Sequence, residues 1–344
     1  MTILAGAWAG AHALTTSASA PMPRVTYIIG LGTSQRPQVV IAGIDGKAPV
    51  TLGPASAGAL LSPDGTQVAA IDIDNSQSPK SSTLSLWPAG GGDARTLQKS
   101  AQFMQMLAWS PDSTLLLVAT GGGQLMVINA ASGVSTTVAT GVFYRASFEP
   151  GGSDQIVYAK TTKSAVNLYI TSSIGTQTRQ LTHDGHSEYP VWGPNGIVYS
   201  RVTQRAKTQK GQKTPGVEYQ LWLIKPGGGS PRQLTNVPVG PSVWGLTPIA
   251  LSANGKHLLA NLLGPNNRTE AYVVDLSSPK TAPRDLTGEA SGTVGDAISA
   301  RGDLILLTKG TLQNPTASSV ETVKWGGGKP TVLAEHGAYA SWDR

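Results

Sequence analysis

The chain has 344 residues, 40% hydrophobic and only 13% charged, so it can bury a core and is not a disordered polyelectrolyte. It contains no cysteine, which excludes disulfides, thiolate metal sites, a cysteine nucleophile and a lipid-anchoring cysteine. A net charge of +6 permits an anionic partner without demanding one.

Residues 1–24 form a separate segment. Thr2 to Ala20 resembles the apolar core and small-residue end of a secretory signal, with Ala18-Ser19-Ala20 as the A-x-A element. The expectation is an extracytoplasmic protein: secreted, periplasmic or at the cell surface. No Lys or Arg precedes the apolar run, so the competing reading is an Ala-rich tail. The run is too short and too rich in Gly and Ala for a membrane span, and no transmembrane anchor is expected.

From residue 25 onward, short runs rich in Val, Ile and Thr are punctuated by Gly, Pro, Asn and Asp, which is the signature of strands. Seven hairpins share one layout, at 39–52, 84–97, 125–138, 168–181, 221–234, 272–286 and 320–333. Their last residues recur every 41 to 53 positions, the size of a four-stranded repeat. After each hairpin, or its counterpart at the chain's end, comes a strand, an S-P-D-G-like turn and another strand. LLSPDGTQVAAID at 60–72 and AWSPDSTLLLVAT at 108–120 are the clearest cases. Pro presets the turn dihedral, Asp bonds back to the main chain, and Gly accepts positive φ. A four-stranded unit cannot bury both faces alone, so the units must stack on one another.

The first unit, 25–52, has three strands and lacks an initial one. The last residues, 337–344, read as that missing strand. Pairing the two leaves no open edge. The predicted fold is all-β: one domain over 25–344, a seven-bladed β-propeller of four-stranded antiparallel blades. Its first blade is shared between 25–53 and 337–344, and the others span about 57–99, 103–141, 142–183, 186–236, 240–287 and 293–335. The alternative is six blades, with the first hairpin outside the ring.

The stretch QLTHDGHSEYPVWGPNG, Gln180 to Gly196, resembles the TolB-type (WD40-like) propeller repeat, and imperfect copies cover most of 25–344. The resemblance implies a propeller of stacked four-stranded blades. TolB-type proteins carry six blades and a separate N-terminal domain, so seven copies imply one blade more.

Function in propellers usually sits where the long connections converge at the channel mouth. The candidate residues there are His183, Asp184, His186, Glu188 and Tyr189, with Phe103, Gln105, Phe143, Tyr144, Arg145, Trp244 and Asp296. A ring of aromatic and polar groups suits an inserted protein or peptide segment. The plainer reading, that Phe103, Phe143 and Trp244 wedge between blades, is the stronger one for the aromatics. Two His three apart with carboxylates also resemble a metal set, but the spacing on a loop is unspecific. No metal or other cofactor is expected, and channel Ca²⁺ has no motif to support it. Residues 201–217 carry Arg201, Arg205, Lys207, Lys210 and Lys213 without an acid. This is either a basic arm for an acidic partner or a solvated insertion, the second being preferred. It has no aromatic residue for base stacking, so nucleic acid is not expected. Trp87, Trp109, Trp192, Trp222 and Trp325 are expected to recur at equivalent positions as packing between blades. The triple glycines at 90–92, 227–229 and 326–328 are turn residues.

No catalytic motif is present; there is no G-x-S-x-G elbow. The favoured expectation is a monomeric, non-catalytic, exported scaffold that binds a protein or peptide partner, in the cell envelope. The alternatives are a propeller enzyme of lactonase, lyase or glycosidase type, or a binder of envelope polymer or carbohydrate.

Overall fold

The computed structural model of the chain describes residues 23–74, 76, 81–141, 145–163, 165–204, 217–240, 242–278, 282–288, 292–310 and 317–342. Its first strands are β1 (Arg24–Ile29), β2 (Gln38–Gly43) and β3 (Val50–Pro54). The second unit holds β4 (Ala59–Leu61), β5 (Gln67–Asp74), β6 (Ser81–Pro88) and β7 (Arg95–Ser100). The third holds β8 (Met104–Trp109), β9 (Leu115–Thr120), β10 (Gln124–Asn129) and β11 (Ser135–Thr140). The fourth holds β12 (Ala146–Phe148), β13 (Gln155–Thr162), β14 (Ala165–Ser172) and β15 (Arg179–Gln180). The fifth holds β16 (Ser187–Gly193), β17 (Gly196–Gln204), β18 (Val217–Ile224) and β19 (Arg232–Gln233). The sixth holds β20 (Gly245–Leu251), β21 (His257–Leu263), β22 (Thr269–Asp275) and β23 (Arg284–Asp285). The seventh holds β24 (Thr293–Ile298), β25 (Leu304–Lys309), β26 (Ser319–Lys324) and β27 (Thr331–Glu335), and β28 (Gly337–Trp342) follows.

These strands form an all-β propeller. Among the described residues they divide into seven four-stranded antiparallel units, the fifth and sixth joined by one parallel bridge between Tyr219 and Gly245. The strand β28 completes the first unit. Its Trp342, Ser341, Ala338 and Gly337 pair with Val25, Thr26, Ile28 and Ile29 of β1. The innermost strands β28, β4, β8, β12, β16, β20 and β24 each contact the next, and β24 meets β28 to close the ring.

The burial explains the sequence pattern. The second strand of each unit lies between two neighbouring units, so both of its faces are covered. In β5, Val68 and Ala70 join a cluster with Ile28, Val39 and Trp87 of the first two units. Ala69 and Ile71 join Leu116 and Val118 of the third unit. Such a strand reads as an unbroken apolar run, not an alternation. Each of the seven described hydrophobic clusters spans one interface between neighbouring units, including the seventh against the first through Leu306, Val320 and Trp342.

The recurring turn letters have physical jobs. Ser62 Oγ donates to Asp64 Oδ1 (2.6 Å), which accepts the Thr66 main-chain N–H at 3.0 Å, while the Gln67 N–H reaches Ser62 Oγ at 3.0 Å. Ser110, Asp112, Thr114 and Leu115 repeat this network. Gly65 supplies positive φ (69°) in the first turn; in the second Ser113 takes that place at 62°, and its hydroxyl accepts the Asp64 N–H across the interface. The Thr of QLT replaces a ladder bond. Thr182 Oγ1 accepts the Leu168 N–H and Thr235 Oγ1 the Leu221 N–H, both at 2.9 Å. The outermost strands of the fourth and fifth units are two residues long.

Arginines at the start of outermost strands fasten one unit to the next. Arg95 donates to the Ala130 carbonyl, Arg179 to Pro226 and Arg284 to Trp325. The tryptophans correct an expectation: they pack between units as predicted, but from two positions. Trp109 and Trp192 lie on innermost strands, whereas Trp87 and Trp222 lie on the third strands β6 and β18, and Trp325 follows the third strand β26. Two different surfaces of each unit needed filling, and a large ring fills either.

Candidate functional site

The innermost strands converge on a central channel, and most of them are irregular. The pairing slips by one residue at Leu107 in β8, at Tyr189–Pro190 in β16, at Ile249 in β20, at Asp296 in β24 and at Tyr339–Ala340 in β28. A bulge of this kind bends a strand and re-aims a side chain. Tyr189 and Tyr339 sit at φ of 53° and 59°, the left-handed region that bulky residues rarely adopt.

A cavity of about 390 Å³ occupies the half of the channel next to the short S-P-D-G-like turns. All seven units line it, mostly with small or apolar side chains such as Leu60, Ala108, Pro190 and Ile249. Among the described residues, Arg145 and Asp296 are the only charged ones in its wall. Arg145, just before β12, reaches past the fifth unit and donates from Nη1 to the Ile249 carbonyl at 2.8 Å. Burial lowers its pKa, and the Tyr189 phenol opposes that shift. Asp296 Oδ2 accepts the Thr308 hydroxyl at 2.6 Å. Burial pushes its carboxyl up to about 7, against the hydrogen bonds from Thr308 and the Ala340 main chain. Tyr339 is raised as well, first by burial and then by Asp296.

Toward the long connections, Tyr189 meets Tyr219 edge-on with centroids 6.4 Å apart. Trp244 is half-buried beside them, its carbonyl accepting the Tyr219 N–H at 2.7 Å. Glu188 is half-buried, and burial raises its pKa.

The other candidates behave differently. His183 and His186 are exposed. Asp184 is committed: Oδ1 accepts the His186 N–H and the Ser187 hydroxyl, and Oδ2 pairs with Arg201 at 3.0 Å. Arg201 is a residue of β17 and not of the connection that follows, its guanidinium 5.0 Å over the Trp222 ring and ion-paired to Asp184, because the pairing of β17 with β16 and β18 brings both partners beside it. Phe103 is 52% exposed, which overturns its assignment to packing; it lies in the connection ahead of β8, outside the interface clusters. Gln105 is an exposed residue of β8. Phe143, Tyr144, Arg205, Lys207, Lys210 and Lys213 lie outside the described residues.

Among the described residues no group of three or more His, Asp or Glu gathers that could hold a metal ion. No described helix is long and apolar enough to cross a membrane. Sequence reasoning missed Tyr219, Tyr339 and Thr308. Tyr339 had a signal: it stands in the last strand three residues before Trp342, as Tyr189 stands three before Trp192.

No family model matches the chain, and no curated protein matches its sequence. Solved structures do. TolB from Acinetobacter baumannii superposes with a TM-score of 0.55 at 14% identity, over 93% of this chain and 83% of its own. Oligogalacturonate lyase from Vibrio parahaemolyticus gives 0.55 at 11% identity over 80% of each chain. A puromycin-hydrolyzing peptidase of Mycobacterium tuberculosis gives 0.56 at 14% identity over 88% of this chain and 50% of that one. At such identities the likeness is one of fold, and the fold is the TolB-like β-propeller.

Proposed function

We propose that this chain is a non-catalytic, extracytoplasmic propeller scaffold, a monomer that binds a protein or peptide partner of the cell envelope at the long-connection mouth of its channel. The observation that carries this reading is the pair of bulges holding Tyr189 and Tyr339 in left-handed backbone. Each such residue costs about 1–3 kcal/mol, a cost that persists where the surroundings over-determine the conformation, as they do at binding sites. Packing of the blades alone does not require it, since the bulges at Leu107, Ile249 and Asp296 carry no left-handed residue. Tyr189, Tyr219 and Trp244 offer rigid aromatic surface of the kind that anchors protein interfaces. The connection from β17 to β18 leaves from the same face, and its Arg205, Lys207, Lys210 and Lys213 favour an acidic partner. The signal-like Thr2 to Ala20 supports export. The likeness to TolB supports the scaffold reading at the level of fold.

The experiment is crosslinking capture from the envelope fraction of the producing cell. Its baits are the native chain, a Tyr189→Ala/Trp244→Ala variant, and a control with the exposed Val134 and Ile174 of the opposite rim changed to Asp. The reading expects one protein retained by the native bait and the control and lost with the aromatic variant. Capture that ignores the aromatic change contradicts it.

A second reading is favoured by one observation. Asp296, with a pKa of about 7 in a channel and Tyr339 beside it, is suited to general acid–base work. Lyases and peptidases are among the structural neighbours. Turnover of polysaccharide, lactone or peptide substrates that disappears in Asp296→Asn while the fold is kept decides for this reading.

A further inference from the structure

Among the described residues, the Arg145 guanidinium in the channel wall has no carboxylate partner. Arg145 carries five N–H donors, yet among the described residues it makes one hydrogen bond, to the Ile249 carbonyl, and no ion pair. The other charged wall residue, Asp296, is engaged by Thr308 and the Ala340 main chain instead. Arg145 is half-buried, so leaving most of its donors unused is costly, and a planar anion relieves that cost through two parallel hydrogen bonds. Apart from Ser147, Ser252 and Ser341, the rest of the described wall is apolar or aromatic, with Phe148, Trp192 and Leu251 among its residues. The volume of about 390 Å³ lies at the small end of the range for ligand pockets.

We propose that the short-turn half of the channel is a carboxylate-binding subsite, in which Arg145 grips the carboxylate of a ligand whose apolar body fills the cavity. The carboxylate can belong to a free organic acid or to the C-terminus of a polypeptide, and the test separates the two. The subsite adjoins the aromatic mouth, since Tyr189 acts on Arg145, but its test reads a small acid or a peptide end and no envelope protein, so it stands or falls independently of the scaffold reading.

The binding partners to titrate calorimetrically are 4-phenylbutyrate, its amide 4-phenylbutyramide, and a Gly-Ser-Gly-Leu-Phe peptide with either a free or an amidated C-terminus. The native protein, Arg145→Gln and Arg145→Lys are compared, with the melting temperature recorded for each. The expected result is that a free carboxylate binds about ten- to a hundredfold more tightly than its amide and loses that advantage in Arg145→Gln. Lysine restores it in part, because it keeps the charge and loses the fork. Binding of phenylbutyrate assigns the subsite to small acids; binding of the free-ended peptide alone assigns it to chain termini. Equal affinity for acid and amide in the native protein overturns the proposal, as does the absence of binding by either carboxylate. The acid–amide comparison needs no variant, so a failure of Arg145→Gln to fold leaves it intact.

Discussion

Asp296 gives the sharpest quantitative prediction. Its carboxyl, near 3.8 in the unfolded chain, stands at about 7 in the folded one because burial disfavours its charge. Between these values the folded state holds a proton that the unfolded state has released. Stability therefore falls as pH rises from about 4 to about 7 and levels off above. At about 1.4 kcal/mol per pH unit the full interval amounts to roughly 4 kcal/mol. Water in the channel screens part of this, leaving about 2–4 kcal/mol. Asp296→Asn removes the titration and keeps an oxygen to accept the Thr308 hydroxyl and the Ala340 N–H. Denaturant unfolding of both proteins at pH 4.5, 6 and 8 reads the difference directly. The variant gains on the native protein with every step upward and is the more stable of the two at pH 8. Stability curves that run parallel across the interval refute the burial argument.

Two further predictions concern the interfaces between blades. Trp87 is 4% exposed and fills the space between the first and second units against Gly53, where an added Cβ would sit 3.0 Å from its ring; Trp87→Ala should cost about 3–5 kcal/mol in chemical denaturation, and a cost under about 1 kcal/mol contradicts this packing. For Asp112, burial opposes the charge, yet hydrogen bonds from Ser110, Thr114 and Ser153 hold its carboxyl at about 2. Its contribution is present above pH 3.8 and lost as pH falls through about 2, so Asp112→Asn should lower stability at pH 7 by about 1 kcal/mol after screening and leave it unchanged at pH 2, read from melting curves at the two values.

The sequence displayed its blades because both determinants are local. A strand covered on both faces is an unbroken apolar run, and an S-P-D-G turn is closed by residues two to five apart. The closure by β28 was legible from a missing first strand at one end and a spare strand at the other. The site was harder to read because its geometry belongs to the ring. Arg145 was singled out, but its bond to Ile249 spans 104 positions, which no local pattern encodes. The bulge at Tyr339 depends on pairing with β1, at the opposite end of the chain. Arg201 looked like the start of a basic arm because five cations followed one another without an acid. Its acid, Asp184, comes from the connection into the same unit, and only the strand pairing brings the two together.

The channel, its aromatic mouth and the Arg145 subsite all depend on β28 closing the ring. Removing 337–344 strips β1 of its partners at Val25, Thr26, Ile28 and Ile29 and empties the place of Trp342, itself 8% exposed. Loss of a buried tryptophan alone costs about 3–5 kcal/mol, and the broken ladder brings the total to a large share of the roughly 5–15 kcal/mol that holds a protein folded. Thermal unfolding of the truncated chain beside the intact one is the decisive measurement. A large fall in melting temperature, or aggregation through the bared β1 edge, is the predicted result. An unchanged melting transition contradicts the shared first blade, and with it the closed channel.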